Sequence, residues 1–288
     1  MTLNRTAIRA SLITPAILLW GLTFAAPIVI AVRLSLFDSD YLTSTFIGLG
    51  NYGRKMLDDK YFVKSFVNSF WLVLFIVPPM VMISYNVAAH ISDFSDRTQS
   101  AFRFVFYIPG LTSGVIMALI WRWMLALDGL INQFLSVVGL GAVPWLIDAW
   151  PARAGVALIQ VVQTVGGNIL ILSAILCGLP AELRDAAMID GANTRAYRRY
   201  IIRPYLMRTL LLLVLLDVIG VMQIWEVSYV LFRRGGPEGA VASPVYEIFL
   251  TAFIYGEQGY AAAKGVVLAI VIATIIVGKQ RIEAWAKQ

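Results

Sequence analysis

The sequence has few charged residues, one cysteine and one histidine. Charged residues make up 14% of the 288 positions and hydrophobic residues 59%, whereas a soluble globular domain carries about 25% charged residues. The chain therefore lacks the polar surface that a soluble protein needs. Cys177 has no second cysteine with which to form a disulfide. Cys177 and His90 are also too few to supply a cysteine or histidine cluster for a metal, so no metal site is expected.

Six apolar runs are long enough to cross a membrane, since a helix needs about 20 apolar residues to do so. They predict an all-α integral membrane protein with about six transmembrane helices. Pro109-Gly110 predicts a kink or a late start in the third. Because no repeat or soluble domain interrupts the runs, residues 1–288 are predicted to form a single transmembrane domain. The predicted spans are residues 12–32, 66–89, 104–126, 154–177, 206–232 and 261–278.

The basic residues are distributed unevenly along the chain. Lys and Arg number 23 against 17 Asp and Glu, and the positive-inside rule explains this excess without a nucleic-acid partner. Arg5 and Arg9 precede a first run that is too long for a signal peptide, which predicts a cytoplasmic N-terminus. Six spans then predict a cytoplasmic C-terminus. In this orientation the cytoplasmic segments hold 13 basic residues, and the opposite side holds 9, including Lys264.

Residues 179–204, with the sequence LPAELRDAAMIDGANTRAYRRYIIRP, form a polar island between the fourth and fifth spans. Its charges would cost several kcal/mol each in hydrocarbon, so it must lie in water. Glu182 and Asp185 favour the first turn of a helix. Gly191 suits a left-handed helix end, and Asn193 can cap a second helix. The segment therefore predicts a cytoplasmic helix–Gly–helix projection.

The first helix of this projection has a small, smooth face. Leu183, Ala186, Ala187 and Asp190 follow helical spacing, which favours close packing against a partner. One interpretation is a coupling element that seats in a partner's groove and transmits motion as a lever. The alternative is an ordinary charged loop whose arginines only obey the positive-inside rule.

Residues 181–192 resemble the EAA loop of permease subunits of binding-protein-dependent ABC importers. That motif centres on Glu-Ala-Ala followed by Asp-Gly-Ala. Here Asp185 stands where Glu is usual, and Arg203 stands where a Leu precedes the proline. Further segments resemble the carbohydrate-uptake type, which includes the maltose and glycerol-phosphate permeases: residues 46–52, 121–124, 235–237 and 259–263.

The resemblance implies that a cytoplasmic ATPase dimer binds this loop. The sequence has no G-x-x-x-x-G-K-[ST] phosphate loop, so the chain is not expected to be an enzyme or to bind a cofactor. ATP and Mg would bind to the partner ATPase. The residues to which the resemblance assigns ATPase coupling are Glu182, Leu183, Asp185, Ala186, Ala187, Asp190, Gly191 and Ala192.

The resemblance also implies further partners and a location. A second, homologous permease subunit would form a heterodimer with this chain. A periplasmic or lipid-anchored solute-binding protein would deliver a sugar or polyol, and membrane lipid would surround the spans. The location implied is the bacterial or archaeal cytoplasmic (inner) membrane.

The fourth span carries polar candidates for the substrate pathway. Gln160, Gln163, Gly167 and Asn168 fall on one helix face, and the Gly166-Gly167 pair would allow a close approach. Amides both donate and accept hydrogen bonds, which suits a hydroxylated ligand. Hydrogen bonding between helices is an equally good explanation.

The fifth span carries Asp217, Gln223 and Glu226, with Trp225 beside the last two. Gln223 and Glu226 lie one turn apart and are further pathway candidates, as is Trp225. Asp217 and Glu226 are nine residues apart, which puts them on opposite faces of a straight helix. They cannot both contact one ligand, so Asp217 is either a substrate contact or the partner of a basic group on a neighbouring helix.

Two classes of transporter fit these residues. The first is the permease subunit of an ATP-driven sugar or polyol importer. The second is an ion-coupled secondary transporter with Asp217 or Glu226 as its proton or sodium site. Six spans without an internal repeat and without broken helices argue against the second. No Arg or Lys lies clearly mid-span, which favours a neutral ligand over a phosphate.

Overall fold

The structure, a computed structural model, describes residues 5–232 and 234–285 and is predominantly helical. Residues 1–4, 233 and 286–288 lie outside this description, so the predicted position of the chain ends stays a prediction. The helices are α1 (Arg5–Trp20), α2 (Ala26–Leu34), α3 (Arg54–Leu57), α4 (Lys60–Ile91), α5 (Asp96–Tyr107), α6 (Gly114–Met124), α7 (Leu130–Val137), α8 (Ala149–Leu176), α9 (Ala181–Ile189), α10 (Thr194–Tyr197), α11 (Arg203–Met222), α12 (Glu226–Leu231), α13 (Pro244–Phe249) and α14 (Gln258–Trp285). The described strands, β1 (Phe37–Ser39) and β2 (Ser44–Phe46), form one antiparallel hairpin.

The described residues contain five helical segments that are long and apolar enough to cross a membrane, and a sixth if one bent pair is counted as a span. This confirms the predicted all-α membrane architecture. The helices extend beyond the predicted apolar runs because polar residues such as Lys60 and Lys64 continue the helical backbone past the apolar core. The five segments are Ile13–Leu34, Lys60–Ile91, Ala149–Leu176, Thr194–Leu231 and Gln258–Arg281.

The predicted third span is broken. Segments Asp96–Leu111 and Gly114–Met124 meet at 93°, so the Pro109-Gly110 signal marks a sharper change of direction than a kink. Pro109 lies at the start of a short 3-10 helix, Ile108–Leu111. Ser113 then caps α6, because its hydroxyl accepts a hydrogen bond from the Val115 N–H at 3.3 Å.

The fifth span is also broken, at residues 223–225 between α11 and α12. The carbonyl of Ile224 accepts a hydrogen bond from the buried hydroxyl of Ser243. The hydroxyl of Ser228 donates to the Val241 carbonyl at 2.9 Å. Residues 241–243 therefore form hydrogen bonds with polar groups near the break. Irregular backbone is tolerated at membrane depth only where its polar groups have such partners. The sequence expectation that no helix is broken is wrong.

The described residues group into two compact units, one of them Lys64–Tyr246. In this unit Gly166 brings α8 close to α5, since a Cβ at Gly166 would collide with the Phe106 carbonyl. The predicted close approach is confirmed for Gly166, whereas Gly167 has no such neighbour within 4 Å. Two apolar clusters form the core of this unit, one around Ile76, Trp121, Ile159 and Val221, the other around Ala88, Leu172, Ile202 and Leu206.

The second unit comprises the described residues up to Val63 and from Glu247 onward. Asn51 is buried and donates from its amide to the carbonyls of Ser35, at 2.9 Å, and Phe37, at 2.8 Å. Gly259 lies against the Phe37 carbonyl, where a Cβ would collide. Residues 46–52 and 259–263, which carry the family resemblance, therefore hold the hairpin against α2 and α14.

Lys264 is buried in this second unit. Its assignment from the sequence to the basic residues in water on the side opposite the cytoplasm is therefore wrong. Its side chain is 3% exposed, and its ammonium lies 2.8 Å from Asp59 Oδ2 and 2.8 Å from Thr251 Oγ1. Tyr260 also donates to Asp59 Oδ2, at 2.9 Å. Burial alone would raise the pKa of the Asp59 carboxyl, but hydrogen bonds from Lys264 and the Phe62 N–H outweigh it, and the pKa lies below its usual 3.8.

Asp59→Asn should destabilise this unit by about 3 kcal/mol, because it leaves the Lys264 ammonium buried without its carboxylate. Thermal or denaturant unfolding of the purified chain in detergent measures this loss. The matched control is Glu257→Gln, which removes an exposed ion pair to Lys55 and should cost under about 1 kcal/mol. Equal losses in the two variants would contradict the structural role of Lys264.

The same pair predicts a pH dependence. A carboxyl whose pKa is lower in the folded state stabilises the fold above its unfolded pKa, and this contribution is lost as the pH falls through the folded value. For Asp59 we therefore expect the contribution to be complete at neutral pH and to be lost only below about pH 4. Asp59→Asn should remove this part of the acid dependence.

Candidate functional site

A cavity of about 270 Å³ lies where the two helix breaks face the polar side of α8. The third-span break contributes Gly110 and Gly114, and α8 contributes Thr164 beside two glutamines. The structure thus brings together five of the six residues that the sequence assigned to a substrate pathway, namely Gln160, Gln163, Gln223, Trp225 and Glu226.

The cavity side chains are held by the irregular backbone around them. Gln163 Nε2 donates to the Thr112 carbonyl at 3.1 Å, inside the third-span break. Gly114 lies against the Glu226 carboxylate, where a Cβ would collide with Oε2. Gln163 therefore acts both as a contact between helices and as a cavity residue, so the two sequence interpretations are compatible at this position.

The chemistry of the lining suits a neutral, hydroxylated ligand. Three amides both donate and accept hydrogen bonds, and the Glu226 carboxylate can accept several. The Trp225 ring adds an apolar face. Among the described residues that line the cavity none is basic, so a phosphate would find no cation there. The volume lies just below the usual range for small-molecule pockets, about 300–1,000 Å³.

Asn168 and Asp217 do not line this cavity. Asn168 is buried and donates from Nδ2 to Asp217 Oδ2 at 2.9 Å. The basic partner predicted for Asp217 is therefore wrong, since the carboxylate accepts from an amide. The structure separates Asp217 from Glu226, and only Glu226 reaches the cavity.

The loop at residues 179–204 has the predicted helix–Gly–helix form as local structure. Helix α9 ends before Gly191, which has a φ of +78°. Asn193 caps α10, and its Oδ1 accepts a hydrogen bond from the Ala196 N–H at 2.9 Å. A left-handed conformation of this kind favours glycine over residues with a Cβ.

Three residues of the predicted face of α9 are exposed, namely Leu183, Ala186 and Asp190, but the fourth, Ala187, is not. Ala187 is buried against its own chain, whereas Met188 and Ile189 are 58% and 86% exposed. We call Met188 and Ile189, which adjoin each other at the end of α9, the apolar tip of the loop. Met188 and Ile189 were not among the predicted coupling residues, although an apolar pair in a polar island is a signal of a binding surface.

No protein-family model matches the chain, but characterised proteins do. The arabinooligosaccharides transport system permease protein AraP of Halalkalibacterium halodurans is 29% identical over 266 residues, covering 92% of this chain and 84% of AraP. The trehalose/maltose transport system permease protein MalF of Thermococcus litoralis is 30% identical over 246 residues, covering 82% and 81%. The chain belongs to the ABC transporter permease family.

A solved structure shares the fold of the permease. It is a bacterial alginate ABC transporter in complex with an alginate pentasaccharide-bound periplasmic protein, with a TM-score of 0.83 and 18% identity over 96% of the permease and 94% of the solved chain. The relatives confirm the resemblance to sugar permeases and a multi-pass membrane protein. The sequence argument against an ion-coupled secondary transporter relied on unbroken helices and no longer holds. Family membership is what distinguishes the permease from that class.

Asp93 connects the loop at residues 179–204 to the end of α4. Its Oδ2 lies 2.6 Å from Arg198 Nη2, and its Oδ1 lies 3.4 Å from Arg184 Nη2. Arg198 Nη1 lies 2.7 Å from His90 Nε2, and Tyr85 donates from its hydroxyl to the Arg198 carbonyl at 3.2 Å. One carboxylate thus joins α9 and the turn that follows α10 to the segment after α4.

Asp93→Asn should loosen this loop. Losing a hydrogen-bonded charge costs about 1.5–3 kcal/mol, so we expect trypsin to cleave within residues 184–203 about tenfold faster or more. The control is Asp96→Asn, a nearby carboxylate on α5 that has no ion pair among the described residues. Unchanged cleavage in Asp93→Asn would show that the ion pairs do not hold the loop.

Proposed function

We propose that this permease forms, with a second homologous permease subunit, the translocation pathway of an ATP-driven importer for a neutral sugar or polyol. The observation that carries the substrate class is the cavity at the two helix breaks. Its amides, its carboxylate and the Trp225 ring match a hydroxylated ligand with apolar ring faces. The similarity to the arabinooligosaccharide and trehalose/maltose permeases supports the same class.

The ATPase that drives transport would bind to the loop at residues 179–204. An apolar surface on a charged loop in water is a sign of a binding partner, and the apolar tip supplies one. We assign the docking of a cytoplasmic ATPase dimer to this tip together with the residues predicted from the EAA resemblance. Glu182, Asp185 and Asp190 are exposed around the tip and would form its polar rim.

The coupling would be mechanical. Closure of the ATPase dimer would move α9, and the ion pairs of Asp93 with Arg184 and Arg198 would carry this movement to the end of α4. Helix α11 follows the same loop and ends at the break that lines the cavity. Movement of the loop would therefore change access to the cavity, as alternating access requires.

The remaining partners and the location follow from the same proposal. No residue of the segment Ile13–Leu34 is fully buried within the described chain, which leaves most of its apolar side chains for lipid or for the second permease. A solute-binding protein would deliver the ligand, in the way that the solved alginate transporter is accompanied by a periplasmic protein that carries the pentasaccharide. The chain would be a single permease domain of the bacterial or archaeal inner membrane, with both termini in the cytoplasm and no cofactor of its own.

Reconstitution tests this function directly. The tagged chain is purified with the subunits that accompany it, inserted in proteoliposomes and supplied with the solute-binding protein and labelled sugars. Uptake should require ATP on the loop side and the binding protein on the other. Uptake by the chain alone, driven by a proton or sodium gradient and unaffected by removal of the ATPase, would overturn the proposal in favour of secondary transport.

A further inference from the structure

A second pocket, of about 660 Å³, lies between the end of α4 and the elbow that leads into α11. We call it the arginine pocket. Four arginines line it, from the start of α10 to the start of α11, and α4 contributes His90 and Tyr85. The arginines are Arg195, Arg198, Arg199 and Arg203.

The arginine pocket carries positive charge that the protein does not neutralise. No carboxylate is among its described lining residues. Arg198 pairs with Asp93, but Arg195, Arg199 and Arg203 have no ion pair within the described part of the chain. Cations gathered around one space repel each other, and an anion in that space would relieve the repulsion.

The backbone gathers the four arginines on one side of the elbow, although Arg195, Arg199 and Arg203 are exposed. The chain makes a wide π turn at Arg198–Ile202, which keeps Arg195, Arg199 and Arg203 on the pocket side of the elbow. Tyr85 holds the Arg198 carbonyl, and His90 holds its guanidinium. Contacts from α4 therefore fix Arg198, which lies at the centre of the group.

The position of the pocket indicates the source of the anion. It lies at the ends of the helical segments Lys60–Ile91 and Thr194–Leu231, where the predicted apolar runs 66–89 and 206–232 meet polar residues. Tyr200 and Tyr205 are exposed beside it, and tyrosines are enriched at membrane interfaces. Guanidinium groups match phosphate oxygens in geometry, and basic pockets between spans bind anionic headgroups. We propose that the arginine pocket binds the phosphate group of an anionic phospholipid.

Lipid binding to matched variants tests this site. The purified chain in neutral detergent is titrated with phosphatidylglycerol, and bound lipid is counted by native mass spectrometry, with phosphatidylcholine as the reference lipid. Arg199→Gln/Arg203→Gln should weaken phosphatidylglycerol binding about 10- to 30-fold, at about 1 kcal/mol per arginine. Arg97→Gln/Arg208→Gln removes the same charge from exposed positions outside the pocket and should leave binding within about twofold.

Other outcomes overturn the inference. Equal losses in both double variants would mean a diffuse attraction and no site. Displacement of phosphatidylglycerol by inorganic phosphate at similar concentration would mean a soluble phosphate ligand. Unchanged lipid binding with loss of the ATPase from the pocket variant would mean a protein surface. If the glutamine variant does not fold, Arg199→Lys/Arg203→Lys keeps the charge without the paired N–H donors and should still weaken binding several-fold.

Discussion

Met188→Glu/Ile189→Glu should abolish sugar uptake while the permease remains folded in the membrane. Both side chains are exposed on α9, so their replacement disturbs no core of this chain. In the proposed complex they enter a groove of the ATPase, where two carboxylates would be buried without partners. Central apolar residues of an interface contribute about 2 kcal/mol or more each, so ATPase binding should weaken by about 100-fold or more.

The measurement is co-purification of the ATPase with the tagged permease, followed by uptake in proteoliposomes. The matched control is Leu42→Glu, which charges a 93% exposed leucine in the β1–β2 turn and should leave both readouts unchanged. Gly191→Pro should act in the same direction by preventing the left-handed turn after α9. Normal uptake by the double glutamate variant would remove the loop from the mechanism.

Glu226→Gln should reduce transport of a neutral sugar by about 10- to 100-fold, the second largest effect that we expect. The substitution keeps the shape of the side chain but removes its charge, and hydrogen bonds to a charged group are worth about 1.5–3 kcal/mol. Gly114→Ala should also reduce transport, because the added methyl group would displace the Glu226 carboxylate. Gln163→Leu should have a smaller effect, because a neutral amide forms weaker bonds.

Two further measurements distinguish this effect from general damage. The affinity of the solute-binding protein for its sugar and the amount of assembled complex should both be unchanged in Glu226→Gln. Glu257→Gln makes the same chemical change at an exposed ion pair away from the cavity and should transport normally. Wild-type uptake by Glu226→Gln would exclude this carboxylate from the pathway, and loss of proton-driven uptake would instead support secondary transport.

The apolar runs and the turn signals act locally, and they were sufficient for most of the element pattern. Pro109-Gly110 marked the third-span break, and Gly191 and Asn193 marked the turn and cap of the loop at residues 179–204. Helical spacing also placed Gln160 with Gln163 correctly, whereas Gln223 and Glu226 line the same cavity although the helix is broken between them. These features depend on residues within about one helical turn of each other, and the sequence displays them directly.

Four features depended on residues far away in the chain, and they were missed or assigned wrongly from the sequence. At the break at residues 223–225, the Ile224 carbonyl accepts a hydrogen bond from Ser243, nearly twenty positions later. Lys264 is buried because Asp59 neutralises it. Asn168 bonds to Asp217 instead of facing the cavity, and the packing of α9 buries Ala187 while it exposes Ile189.

The sequence by itself determined that this chain is a helical membrane protein, which stretches of it form the apolar cores of the spans, and which permease family it resembles. Only the tertiary structure decided which polar side chains share a cavity and which neutralise each other. Helix formation is set by hydrogen bonds between residues four apart. The partner of a buried polar group must instead come from whichever helix packs beside it, because an unpaired polar group in the membrane interior is too costly.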